Sequence, residues 1–132
     1  MILVDSSVWI DFFTGKATPA CAWLVSLLQD LAPIAIADLV LFEVLRGFRH
    51  DREYLAARRV LGAVPLLDIG GMINVTRAAA LDRGLRAVGY TVRSAIDLLQ
   101  ANYCLAHGHA LLHRDADFDV IERVHGLQVW RG

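Results

Sequence analysis

The chain has 132 residues, a formal net charge of −1 and a 56% share of hydrophobic residues. That is enough to bury one ordinary core without disulfide or metal staples, and it sets the expectation of a single domain over 1–132. The near-neutral charge excludes a bulk basic footprint for nucleic acid or an anionic membrane, so any such binding must rest on a local patch. Twelve arginines against the single lysine, Lys16, leave almost no candidate for a lysine nucleophile.

Ile2-Leu3-Val4 is a short uninterrupted apolar run, the pattern of a strand buried on both faces, and Asp5-Ser6-Ser7 follows at once. Asp5 and Asp11 interrupt the apolar N-terminus and no basic segment precedes it, so no signal peptide is expected. Val8, Trp9, Phe12 and Phe13 fall at helical spacing, with Gly15 placed to stop the turn. Pro19 suits the first turn of a second helix running to about Leu31. Cys21, within it, has no Cys-x-x-Cys or metal-ligand spacing with Cys104 or any histidine, which fits a reduced, cytoplasmic protein. Ile34-Ala35-Ile36 reads as a second strand. Asp38 is placed as the N-cap of a third helix, Leu39 to Arg46, apolar almost all round and therefore buried on most sides or part of an interface.

Asp51 to Leu61 reads as a fourth helix with Tyr54, Leu55 and Val60 inward, closed by Gly62. Residues 63–67 form a third strand that Pro65 assigns to a sheet edge. Met72 to Ala87 and Ser94 to His107 are the next two helices, Ala110 to His113 a strand, Asp117 to Arg123 a short helix, and Leu127 to Trp130 a last strand. Strands alternating with helices imply an α/β fold, a parallel sheet flanked by helices on both faces. No apolar run approaches the roughly 20 residues that a membrane span requires. The apolar share is heavy for a small domain, so part of the surface is expected to meet another chain.

Four acids carry the chemistry. Asp5 and Asp115 each follow a strand, where ligands collect in open parallel sheets, although each also suits a helix N-cap. Asp97 completes a capping-box pattern with Ser94, but Ala101 on the same face is too small to cover it. Glu43 interrupts an apolar helix and faces Gly47 one turn on, with Arg46 as its only local cation. In a doubly wound sheet these positions open on one edge, and like charges gathered there disfavour ionisation unless a divalent cation neutralises them. An all-oxygen site selects Mg²⁺ or Mn²⁺ over zinc. Such a metal lowers the pKa of bound water and stabilises charge on a phosphoryl group, the requirements of phosphodiester hydrolysis. Arg46, Arg93 and Arg114 are candidates to hold substrate phosphates.

Asp5-Ser6-Ser7-Val8-Trp9, Glu43-Val44-Leu45-Arg46-Gly47, Ala95-Ile96-Asp97 and His113-Arg114-Asp115-Ala116-Asp117-Phe118, in that order, resemble the PIN-domain ribonucleases, in particular the VapC toxins of toxin–antitoxin pairs. The resemblance covers essentially the whole chain. It implies an α/β/α sandwich and a metal-dependent endoribonuclease whose acidic quartet, Asp5, Glu43, Asp97 and Asp115, binds Mg²⁺ or Mn²⁺, with Asp5 and Asp97 the most regular ligands. It further implies an assisting hydroxyl at Ser6, an auxiliary acid at Asp117 and a position near substrate for His113. A homodimer held by a partly apolar face that includes Trp9 and Phe13, and inhibition by a VapB-type antitoxin, also follow from it.

Other functional classes lack their residues. A phosphoacceptor receiver domain needs a lysine that Lys16 does not supply, and a haloacid-dehalogenase-type phosphatase needs Asp-x-Asp where Asp5-Ser6-Ser7 stands. Neither the Gly-x-Gly-x-x-Gly of dinucleotide binding nor the Gly-x-Ser-x-Gly of serine hydrolysis occurs. His107-Gly108-His109 reads as loop rather than metal pair. The remaining rival is a catalytically silent PIN-like protein-binding module.

Overall fold

A computed structural model describes residues Met1–Gly132. Strands β1 (Ile2–Val4), β2 (Ile34–Ala37), β3 (Leu66–Leu67) and β4 (Ala110–Leu112) form one parallel sheet in the order β3-β2-β1-β4. Helices α1 (Ser6–Thr14), α2 (Pro19–Gln29), α3 (Asp38–Arg46), α4 (Asp51–Gly62), α5 (Met72–Ala87), α6 (Ala95–His107) and α7 (Ala116–His125) cover its two faces. This is the α/β/α sandwich expected of the pattern.

Strand alternation sorts the core into two halves. Ile2, Val4, Ile34, Ile36 and Leu112 face one side, where α1 to α4 contribute Val8, Trp9, Leu24, Val40, Val44 and Leu61. Leu3 and Leu111 face the other, against Leu81 and Leu85 of α5, Leu98, Ala101 and Cys104 of α6, and Phe118 and Ile121 of α7. β1 and β2 are therefore apolar at every position, because both of their faces are covered, whereas the short edge strand β3 leaves Leu66 exposed. β1 lies between β2 and β4, with Leu3 opposite Ala35 and Leu111, so the end of β1 and the end of β4 open on the same edge.

Pro65 precedes β3 at the sheet edge and its carbonyl accepts from the Ile36 N–H at 2.9 Å. α1 ends at Gly15, whose φ of 75° is the left-handed conformation glycine adopts freely. Cys21 and Cys104 are buried, unpaired thiols.

Several expectations are corrected. Trp9 has no exposed surface and stacks on Phe13 with ring centroids 6.0 Å apart, so it belongs to the core and not to a partner face. In α4 the inward residues are Ala57 and Leu61, whereas Leu55 and Val60 are exposed and Tyr54 only half-buried. The helix is rotated so that small Ala57 admits close approach, which hydrophobicity alone does not reveal. α4 also runs through Gly62 instead of stopping before it. Asp38 lies inside α3, whose N-cap position is Ala37, and its carboxylate accepts from the Ile69 N–H at 3.0 Å, tying the loop after β3 to the start of α3. The last strand is reduced to one bridge between Val129 and Leu111. α3 buries only Val40 and Val44 and leaves Phe42 58% exposed, so the helix is not buried on most of its sides.

Candidate metal centre

The edge where β1 and β4 end collects the acids. Asp5 follows β1 directly, its backbone N–H donating to the Leu112 carbonyl at 2.9 Å, and only 2% of it is exposed. One carboxylate oxygen, Oδ2, accepts from the Ser7 N–H at 3.1 Å and the Ser7 hydroxyl at 2.6 Å, which caps α1. The other, Oδ1, accepts from the Gln100 side-chain amide at 2.8 Å. Capping therefore consumes one oxygen of Asp5 and an amide orients the second. Asp115 is likewise the N-cap of α7, accepting from the Asp117 N–H at 2.9 Å.

Asp97 lies in the first turn of α6 and is 5% exposed. The Ser94 hydroxyl accepts from its N–H at 3.4 Å, so the capping interaction holds from one side and leaves the Asp97 carboxylate uncommitted to the cap. Asp97, Asp115 and Asp117 each offer a carboxylate oxygen, all within 4.8 Å of one another. The Asp97 carboxyl is pushed up from 3.8 to about 8, first by burial and then by the charges of Asp5, Asp115, Glu43 and Asp117. All five acids thus act on one point.

Glu43 reaches the same point from α3. Burial, and next the charge of Asp5, raise its carboxyl, while the neighbouring Ser6 hydroxyl and Arg46 pull the other way. Its Oε1 is buried with no hydrogen-bond partner. Asp97, Asp115 and Asp117 are the carboxylates that converge within 4.8 Å, while Asp5 and Glu43 lie outside that group and act on Asp97 through their charge; an all-carboxylate cluster with an unpaired Glu43 oxygen nearby is a donor set that suits a hard divalent cation. The residues present fit a hard divalent cation.

The cations are arranged differently from the acids. Arg114 grips the nearly buried Asp11 of α1 through both Nε and a terminal nitrogen, the latter at 3.2 Å, and its backbone N–H donates to the Ser7 hydroxyl at 3.1 Å. Arg46 lies over the Phe42 ring at 5.6 Å, so it forms no close pair with Glu43. Arg93 is exposed, and its backbone N–H donates to Asp117 at 3.3 Å. His113 packs on Phe118, and its Nδ1 accepts from the Asp115 N–H at 3.1 Å, which places the ring proton on Nε2. Burial lowers its pKa, against the charges of Asp119, Asp5 and Asp115.

Gln100, Ser7 and Asp11 were not legible as site residues. Gln100 carried one signal, a polar residue one turn after Asp97 in the buried stripe that continues to Ala101 and Cys104. Only the approach of α6 to β1 shows that its partner is Asp5.

The sequence pattern of the PIN domain matches residues 2–124. The chain belongs to the PIN-domain family. This PIN domain is 36% identical over 129 residues to the VapC ribonuclease Mb1587 of Mycobacterium bovis, an alignment covering 97% of this chain and 96% of the relative. It is 31% identical over 124 residues to ribonuclease VapC51 of Mycobacterium tuberculosis, covering 94% and 87%. Among solved structures it superposes on VapBC2 from Rickettsia felis, bound to a DNA fragment from its promoter, with a TM-score of 0.74, 18% identity and 98% of both chains covered. FitAcB from Neisseria gonorrhoeae gives 0.72, at 17% identity over 98% and 96%. At these identities the superpositions establish the fold, and the curated relatives place the PIN domain in the VapC group.

Proposed function

We propose that this PIN domain is a metal-dependent endoribonuclease, the toxin of a VapBC-type pair, that hydrolyses RNA phosphodiester bonds at the acid cluster. The observation that carries the reading is the cluster at Asp97: its carboxylate converges within 4.8 Å on those of Asp115 and Asp117, and burial first, then four neighbouring acids, push its carboxyl up, a cost in the metal-free protein that a bound cation would relieve. Asp5, Glu43, Asp97 and Asp115 would hold Mg²⁺ or Mn²⁺, with Asp117 as auxiliary acid. The bound cation would lower the pKa of a water and stabilise charge on the phosphoryl group. Gln100 and Ser7 orient Asp5 by holding both of its oxygens, and Ser6 stands beside Glu43. Arg46 and Arg93 would meet the substrate backbone.

The partner reading has its own support. A groove of about 500 Å³ between α1 and α3, with Ile10, Phe13, Val44 and Phe48 on its walls and Arg49, His50 and Glu53 at its rim, would take a segment of a VapB-type antitoxin. Exposed Met72 and Ile73, at 83% and 71%, would contribute to a homodimer face. The two unpaired buried thiols suit a cytoplasmic setting, and no helix is long and apolar enough to cross a membrane. The silent-module alternative leaves the strained Asp97 and the orphaned Glu43 oxygen without a purpose.

The test is purified, antitoxin-free protein incubated with total cellular RNA in Mg²⁺ or Mn²⁺ and in EDTA, beside Asp97→Asn, with new ends mapped by sequencing. Discrete ends that require both the metal and Asp97 are expected. Ends that appear equally in EDTA or in the variant would overturn the reading.

A further inference from the structure

Beside the acid cluster lies a cleft of about 330 Å³ lined by Trp23 and Trp130, by His113 and Asp119, and by Arg114, with Asp115 shared between cleft and cluster. Metal-dependent hydrolysis requires none of the first four. Trp130 is half-buried, and its backbone is pinned where its N–H donates to the Leu111 carbonyl at 2.9 Å, so the ring is presented from a fixed point. The cations of the cleft are already paired, Arg114 with Asp11 and Arg131 with Glu122 through bonds of 2.9 and 2.6 Å. What is left is aromatic surface, one donor and one acceptor, a chemistry for a base and not for a phosphate.

The donor is His113. Its side chain is only 5% exposed, its Nδ1 is occupied by the Asp115 N–H, and its Nε2–H has no partner. The nearest acceptor, Asp119 Oδ1, stands at 3.9 Å, beyond hydrogen-bond reach. Buried donors without partners are rare in native proteins, and one lining a cleft is explained by a ligand. The Asp119 side chain, 59% exposed, can turn outward and uncover it. Every nucleobase carries an acceptor beside an N–H on one edge, which a donor and a carboxylate side by side can read. The volume stands at the low end of ligand pockets, room for one base and not for a stacked pair.

We propose that this cleft holds one unpaired base of the RNA strand, adjacent to the phosphate cut at the acid cluster, stacked on Trp130 and read along its edge by His113 and Asp119. The proposal deepens the ribonuclease reading and rests on it. A base can enter only when it is unstacked and splayed from the strand.

The experiment titrates the protein in EDTA with each of the four ribonucleoside 5′-monophosphates, and with ribose 5-phosphate, while reading tryptophan fluorescence. Trp9 is sealed in the core, so quenching by a soluble nucleotide reports Trp23 and Trp130. Saturable quenching by at least one nucleotide and none by ribose 5-phosphate is expected. Because these variants lack a reporting indole, their nucleotide affinity is read by calorimetry: it should weaken about tenfold in Trp130→Leu and be retained in Trp130→Phe, which keeps a ring. Asp119→Asn, at an exposed position that leaves folding untouched, should change the order of preference among the four bases, and the same change should appear at one position beside the mapped cleavage sites. Equal quenching by ribose 5-phosphate, or indifference to both Trp130→Leu and Asp119→Asn, would overturn the cleft assignment while metal-dependent cleavage of RNA still stood. Base-dependent quenching without metal-dependent cleavage would keep the cleft and remove the nuclease.

Discussion

Replacing Asp97 with asparagine should stabilise the metal-free protein, and the gain should depend on pH in a defined way. The carboxyl titrates at about 8 in the folded chain against an ordinary 3.8. Between those values the folded state keeps a proton that the unfolded chain has released, so stability falls as pH rises from about 4 to about 8 and falls no further through this group above that. At about 1.4 kcal/mol per pH unit, the displacement has a ceiling of about 5 to 6 kcal/mol. Water and counterions reaching the open side of the cluster reduce it, so a gain of about 2 to 3 kcal/mol for Asp97→Asn at pH 8 is expected, close to 10 °C in midpoint for a chain of this size. Thermal and urea unfolding of parent and variant in EDTA, from pH 5 to pH 9, measures it: the parent should decline with pH and the variant should lose most of that decline. Added Mn²⁺ should invert the order, stabilising the parent far more than the variant. Parallel pH curves for the two proteins, or a variant less stable than the parent at pH 8 in EDTA, would refute the electrostatic account.

Metal binding should release about one proton per site near pH 7, because Asp97 must ionise to ligate; calorimetry in buffers of different ionisation enthalpy counts it. Gln100→Leu removes the only donor to Asp5 Oδ1 and should weaken Mn²⁺ affinity about 10- to 100-fold, since such orienting partners typically carry that much, and cost about 1 to 3 kcal/mol in urea unfolding by leaving a buried oxygen unpaired; an affinity equal to the parent's would assign Gln100 to packing alone. Arg114→Ala strands the nearly buried Asp11 carboxylate and should cost about 1 to 2 kcal/mol in urea unfolding, part of which Asp11→Asn in the same chain should restore. Leu31 is 91% exposed and holds φ at 50°, so Leu31→Gly should gain about 0.5 to 1 kcal/mol by relieving left-handed strain, and a loss would show that the turn needs the leucine.

The sequence determined the element types, because strands buried on both faces and helices with apolar stripes leave continuous and periodic signals that survive without knowledge of neighbours. Ile2 to Val4, the edge position announced by Pro65 and the span of α5 all follow from such local patterns. It also determined which acids stand at strand ends and helix starts, since a carboxylate in an apolar context is conspicuous in one dimension. It could not separate capping from convergence, and the structure shows both at once: Asp5 and Asp115 cap helices and still act on Asp97.

Only the tertiary structure decided what depends on pairs distant along the chain. Gln100 meets Asp5 across 95 positions, Arg114 meets Asp11 across 103, and Asp38 meets Ile69 across 31. Helix phase was also undecided, since an exposed Leu55 and a buried Ala57 invert the order of hydrophobicity for the sake of close approach. Trp9 was expected on a face that meets a partner. The packing of α1 against α2 and α3 put it inside, because burial is a property of the space that other elements leave and not of the residue itself.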